Sequence, residues 1–252
     1  MSTNKFISSA KKTIEIQADS IASLSSQIDK SFAEIGKKVS LLKGKLIVMG
    51  VGKSGHVGQK VSATLASTGT PSFFIHPTEA AHGDLGMIAK DDAVLIFSNS
   101  GETKEVTSIL PALKRMASDI FSITGNANSS IAKASSVHLK VHVKKEACPH
   151  DLAPTSSTTA SMVIGDALAI SLIEEKNFSS EDFAKSHPAG ELGKKLTTYV
   201  GDLAISGNKV PCVEIKSSIK DTILEITSKK LGMALVVNNG EVVGIFTDGD
   251  LR

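Results

Sequence analysis

Leu46-Ile47-Val48-Met49-Gly50-Val51-Gly52-Lys53-Ser54-Gly55 decides how this chain is read. Four apolar residues in a row, with no polar face, have the pattern of a strand buried on both sides. The glycine-rich turn behind them leads directly into residues 57–67, whose apolar spacing is helical. Short apolar runs recur at 72–75, 93–97, 120–124 and 137–143, with helical spacing again at 105–116 and 157–175. Strand alternating with helix predicts an α/β unit, a five-stranded parallel sheet with helices on both faces. Ligands of such sheets bind beyond the carboxyl ends of the strands, so the loops after Met49, Ile75, Phe97 and Val143 are expected to carry the chemistry.

Before this unit, Ile7, Ile14, Ile21, Ile28 and Ile35 form a seven-residue stripe flanked by Ala10, Ala18, Leu24 and Phe32, which predicts one or two N-terminal helices. Heptad spacing alone leaves two uses open for the stripe, covering its own domain or contacting another subunit. After residue 195 the composition changes. Gly201, Gly207, Asn208 and Pro211 mark a linker with turns over 200–213. A helix at 219–230 and two strands at 234–237 and 242–246 follow, the strands joined by Asn238-Asn239-Gly240, a hairpin signal. This small α+β piece is too short to be comfortable alone.

The 252 residues carry 28 Lys and Arg against 26 Asp and Glu, a net charge of +2, and 41% are hydrophobic. A near-neutral chain has no field for gathering a polyanion, so nucleic acid is not an expected partner. Cys148 and Cys212 form no C-x-x-C pair and no Cys/His cluster, which removes a disulfide framework and a structural zinc site and points to reducing cytoplasm. Neither a signal-peptide core nor 18 consecutive apolar residues occurs, so no membrane partner is expected. With 9 Phe, 1 Tyr and no Trp, base-stacking and sugar-stacking platforms are disfavoured, and small polar ligands are favoured.

Gly50-Val51-Gly52-Lys53-Ser54-Gly55 matches G-x-G-x-x-G, yet a dinucleotide site needs a carboxylate at the end of the second strand, where Phe74-Ile75-His76-Pro77 stands. A Walker loop fails as well, since Ile47 occupies the position of its first glycine. What remains is a tight strand-to-helix turn, or N–H groups and the Ser54 hydroxyl at a helix start that suit an anion. Ser98-Asn99-Ser100-Gly101-Glu102-Thr103 offers neutral donors at the next helix start, and Thr155-Ser156-Ser157-Thr158-Thr159 repeats that chemistry. Each serine or threonine cluster could be a helix cap, but two phosphate-suited loops on neighbouring strands point further. His82, His187 and Glu146 lie in loops around them. G-x-S-x-G and H-E-x-x-H are both missing, which removes serine acyl transfer and zinc-protease chemistry. Carboxylates and histidines beside a phosphate cradle suit proton transfer next to a carbonyl.

Seven spaced motifs, G-V-G-K-S-G-H (50–56), S-T-G-T-P-S-F-F (67–74), E-A-A-H-G-D-L-G (79–86), S-N-S-G-E (98–102), K-E-A-C-P (145–149), A-P-T-S-S-T-T-A (153–160) and S-H-P (186–188), together make the chain similar to the D-arabinose 5-phosphate isomerases. The resemblance covers essentially the whole chain. It implies a flavodoxin-like sugar isomerase (SIS) domain over residues 1–195, a linker over 196–205 and a first cystathionine-β-synthase (CBS) repeat over 206–252, ending in G-I-F-T-D-G-D-L-R (244–252), with the second repeat of usual members absent from this chain.

The implied activity is aldose–ketose isomerisation between D-ribulose 5-phosphate and D-arabinose 5-phosphate through a cis-enediol, supplying the lipopolysaccharide sugar Kdo. A cytoplasmic homotetramer with active sites shared between subunits and no required cofactor is implied with it. By motif position Lys53, His82, Glu105, Glu146 and His187 match catalytic residues, with Glu146 as base, Glu105 as the substitute, Lys53 on the enediolate and the histidines moving protons. Ser54, Gly69, Thr70, Ser98, Ser100, Thr103 and Thr158 match substrate-binding positions, and His76 matches a position that holds an incidental metal ion in relatives. Thr247 and Asp250 have the spacing of a CBS nucleotide contact. Since that contact is built between two repeats, isomerisation without any nucleotide is expected. The other readings are an isomerase of a different phosphosugar and a non-catalytic phosphosugar sensor. Against a sensor, residues 1–44 contain no basic recognition helix and Glu146 with His187 would be surplus.

Overall fold

A computed structural model of the chain describes residues 3–188 and 191–251, and the backbone divides into two units, Met1–Leu196 and Thr197–Arg252. In the first, helices α1 (Thr3–Ala22) and α2 (Lys30–Ser40) precede β1 (Leu46–Gly50), α3 (Gly52–Ser67), β2 (Ser72–Phe74), α4 (Pro77–Ala81), β3 (Ala93–Phe97), α5 (Lys104–Met116), β4 (Asp119–Thr124), α6 (Ser130–Ala134) and β5 (Val137–Lys140). Helices α7 (Ser156–Glu175) and α8 (Ser180–Ser186) follow. The strands lie in the order β2-β1-β3-β4-β5, every neighbouring pair parallel. This is the five-stranded α/β sheet that the apolar runs predict.

Period-two alternation explains why those runs are continuous. Leu46, Val48, Leu95 and Phe97 enter one core with Val57, Val61 and Leu65 of α3 and Ile164 and Leu168 of α7. Ile47, Met49, Val94 and Ile96 enter the opposite core with Val106, Ile109, Leu110 and Leu113 of α5. Because both faces are covered, β1 and β3 carry no polar side chain, and each fully buried aliphatic side chain contributes about 1.5–3 kcal/mol. Helix α7 is long and apolar enough in composition to cross a membrane. In the structure it packs against α1, α2 and α3, with Ala160, Ile164, Leu168, Ala169 and Leu172 buried.

The isoleucine stripe divides. Ile35 is 2% exposed, whereas Ile7, Ile14, Ile21 and Ile28 keep 50%, 67%, 36% and 40% of their surface. Most of the stripe therefore does not cover its own domain. Gln27 ties this N-terminal region to the end of the sheet. Its amide donates to the His142 carbonyl (3.0 Å) and accepts the His142 N–H (2.8 Å), pairing beyond β5 as a strand would.

Asp92, 1% exposed, links the starts of β1 and β3 by accepting the N–H groups of Lys45 (2.6 Å) and Ala89 (2.8 Å). Asp92→Ala is expected to cost about 1–3 kcal/mol for each N–H left unpaired. Urea denaturation reads this directly, and a change below about 0.5 kcal/mol would show that the N–H groups find other acceptors.

Helix α9 (Glu191–Thr197) closes the first unit, and the second contains α10 (Val200–Leu203), β6 (Cys212–Glu214), α11 (Ile219–Lys229), β7 (Met233–Asn238) and β8 (Glu241–Thr247). The sheet order is β6-β7-β8, with β6 parallel and β8 antiparallel to β7. The turn places Asn239 at φ 53° and Gly240 at φ 84°, the doubly positive pair that matches strand twist in a two-residue hairpin. The linker reading of 200–213 needs correction at both ends. Residues 200–203 are helical, and Cys212–Glu214 pairs with β7, the Pro211 carbonyl accepting the Leu235 N–H at 2.9 Å. Three residues are too few to show alternation, so only the pairing reveals the strand. Val242, Val243 and Ile245 of β8 remain largely exposed. Arg252, the last residue of the 244–252 motif, lies outside the described residues.

Candidate active site

The order in which strands are added reverses between the parallel neighbours β1 and β3, whose helices α3 and α5 leave toward opposite faces. A crevice at the carboxyl ends of these two strands follows from that topology. The first turn of α3 with Lys53 and Ser54 (after β1), the segment with His82 (after β2), the loop from Ser98 to Thr103 with Glu105 in the first turn of α5 (after β3) and the loop with Glu146 (after β5) all follow the carboxyl ends of strands, and the first turn of α7 with Thr158 comes after the last of them.

The loop after β3 is locked by its own hydroxyls. Ser98 Oγ lies 2.8 Å from Thr103 Oγ1 and accepts the Gly101 N–H (3.1 Å), while Ser100 Oγ accepts the Glu102 N–H (3.2 Å). Gly101 sits at φ 69°, and any Cβ there would run into the Ser129 side chain, so the turn requires glycine. Glu102 accepts the Ser130 N–H (2.8 Å) at the start of α6, and this backbone hydrogen bond holds its carboxyl below the usual range. Thr103 occupies the N-cap of α5 without a side-chain cap bond, and Val51 does the same for α3. Both helix starts thus keep N–H groups free of side-chain acceptors from their N-cap residues, the arrangement that suits a phosphate. Glu105 is exposed in the first turn of α5.

Lys53 shares a cavity of about 260 Å³ with Thr158 and with His56, Val57, Thr159 and Met162. His56 is a member of this site that sequence reasoning passed over. Its i,i+3 spacing from Lys53 on one helix was the available signal. Glu146 lies in a second cavity, about 450 Å³, with Lys5 and Lys12 of α1, Lys145 and Cys148. Its Oε2 accepts from Thr155 N–H (2.7 Å), Thr155 Oγ1 (2.9 Å) and Ser157 N–H (3.3 Å). Partial burial pushes the Glu146 carboxyl up, but the hydrogen bonds from Ser157 and Thr155 outweigh it and hold the group below the usual glutamate range. It is therefore ionised at neutral pH, and that ionised form is lost as pH falls through the lowered value.

Several expected site residues are not brought to this end of the sheet. Gly69 and Thr70 precede β2 and lie at the opposite, amino-terminal pole. Gly69, at φ 86°, packs against the Phe178 ring. The Lys176 ammonium donates to buried Thr70 Oγ1 (2.9 Å) and to the Gly69 carbonyl (3.4 Å). Within the chain this turn clasps the end of α7 instead of meeting Lys53, because it lies at the amino-terminal ends of the strands. His187 follows α8, which leaves from that same end of α7. Its ring stacks on Phe183 (4.0 Å between centroids) and its Nδ1 lies 3.0 Å from the Phe183 carbonyl. None of its described contacts reaches Lys53, Glu105 or Glu146. His76 Nδ1 accepts the Thr78 N–H (3.2 Å) and caps α4, and among the described residues no group of three His, Cys, Asp or Glu gathers as a metal site. In the second unit Asp250 accepts from the Thr247 N–H (2.8 Å) and hydroxyl (2.9 Å), so the two groups engage each other.

Residues 42–171 match the SIS domain family. The chain is 50% identical over 248 residues to arabinose 5-phosphate isomerase KdsD of Shigella flexneri and 51% identical over 248 residues to that of Pseudomonas aeruginosa, each alignment covering 98% of this chain and 76% of the relative. A solved Escherichia coli CFT073 structure in complex with arabinose 5-phosphate superposes with a TM-score of 0.73 at 42% identity, covering 75% of this chain and all of the other. The chain belongs to the SIS-domain family. Within that family it stands among the arabinose 5-phosphate isomerases, and it is an isomerase.

Proposed function

We propose that the chain interconverts D-ribulose 5-phosphate and D-arabinose 5-phosphate. The observation that carries this reading is the carboxyl-end crevice, where an uncapped helix start beside Ser98, Ser100 and Thr103 lies on the same side of the sheet as Lys53 and the ionised Glu146. The phosphate binds at the start of α5 through neutral donors, with Ser54 and Thr158 contributing from α3 and α7. From the ketose side Glu146 takes a C1 proton, Lys53 stabilises the enediolate, and the proton returns at C2 to give the aldose. Glu105 is the substitute base. His82 and His187 move protons between the oxygens and open the furanose ring, which only the aldose forms.

The placement of His187 away from Lys53 and Glu146 supports a site completed by a second copy, and the exposed isoleucines of α1 offer an apolar contact for a homotetramer. In the cell the product serves Kdo synthesis in the cytoplasm. Residues 206–252 act as one CBS repeat that the reaction does not require. NMR identification of the product formed from ribulose 5-phosphate tests the substrate. Arabinose 5-phosphate is expected, and a different pentose or no conversion would overturn the reading. Replacing Ser98 and Ser100 together by alanine is expected to raise KM with kcat little changed, each lost hydrogen bond weakening binding by about 0.5–3 kcal/mol. Unchanged kinetics would remove this loop from the site.

A further inference from the structure

A catalytic carboxylate on an irregular loop must be held still, and the loop between β5 and α7 contains a device that does so. Thr155 Oγ1 donates its single proton to Glu146 Oε2 and accepts the Ala147 N–H (2.9 Å). The Thr155 N–H reaches the same Oε2 at 2.7 Å. Asp151, at φ 54°, accepts the Glu146 N–H at 2.6 Å. The two ends of the loop are thereby closed on each other. All three hydrogen bonds to the carboxylate fall on Oε2, which faces the start of a 20-residue helix, where negative charge is favoured. None of these three bonds falls on Oε1, and the Ser157 hydroxyl lies beside the carboxylate.

We infer that Thr155 is the positioning residue of the base, its N–H and hydroxyl pinning Glu146 Oε2 against α7 so that Oε1 alone is presented to the substrate proton. This rests on the reading of Glu146 as base. The charged and titratable groups around Glu146 are Lys5 and Lys12 from α1, Lys145, Cys148 and Asp151 from its own loop, with no acidic residue in the first turn of α7. All of them are unchanged when Thr155 is replaced.

Thr155→Val keeps the β-branched shape and the N–H but removes the hydroxyl from both of its hydrogen bonds. Its kcat is expected to fall on the order of 10- to 100-fold, as for loss of a partner that orients a reacting group, with KM moving less than about threefold. Because the lost bond favours the ionised form, the acidic limb of the kcat/KM profile should move to higher pH. Thr155→Ser, which keeps the hydroxyl, should restore both kcat and the limb. A Thr155→Val protein with wild-type kcat and an unmoved limb overturns the inference, provided Glu146→Gln is inactive. An active Glu146→Gln removes the base reading and the inference with it. Should Thr155→Val not fold, Thr155→Ala is read in the same way, and failure of both to fold would make Thr155 a structural cap only.

Discussion

Glu146→Gln is expected to fold, to bind substrate and to lose turnover. The amide oxygen can take the place of Oε2 and accept from Thr155 and Ser157, so the start of α7 stays capped, while the NH₂ group replaces Oε1 and has no lone pair for a proton. Removing a general base in this isosteric way lowers kcat on the order of 10²- to 10⁴-fold. Substrate binding, measured by calorimetry, should change little. Exchange of the C1 hydrogen with solvent should disappear together with turnover. If Glu146→Gln remains active while Glu105→Gln, on the first turn of α5, is inactive, the two carboxylates exchange roles.

Complementation between two inactive variants is the second large effect. The described side-chain contacts of His187 are with Phe183 of α8, whereas Glu146 is fixed at the start of α7. If a site takes Glu146 from one chain and His187 from another, Glu146→Gln and His187→Ala are each inactive as homo-oligomers. After unfolding and refolding an equimolar mixture, random assembly leaves roughly a quarter of the sites with both native residues, and activity returns in that proportion. Mixtures that stay as inactive as their components would place the whole site within one chain, or leave His187 outside it.

The fold was legible because its strands are buried on both faces. Leu46 to Met49 and Ala93 to Phe97 cannot alternate polar with apolar when each side chain meets a core, so continuous runs ending in glycine or serine loops stand out. Strand β6 was not legible, since three residues have no period and depend on pairing with β7. Within the site, motif position named Glu146 and Ser98 but not what holds them. The clasp between Glu146 and Thr155 spans nine residues of irregular loop and uses backbone N–H groups, which leave no mark in a sequence. For Thr70, motif position pointed to the substrate but gave no sign of the hydrogen bond from Lys176 that ties this turn to the end of α7.

Isomerisation in D₂O tests the central claim most directly. Incubated with ribulose 5-phosphate, the 252-residue chain should give arabinose 5-phosphate carrying deuterium at C2, because the proton taken from C1 exchanges with solvent on the base before the enediol is reprotonated. Absence of arabinose 5-phosphate, or a product whose C2 hydrogen is entirely protium carried over from C1, would contradict an enediol isomerase whose carboxylate base exchanges its proton with solvent.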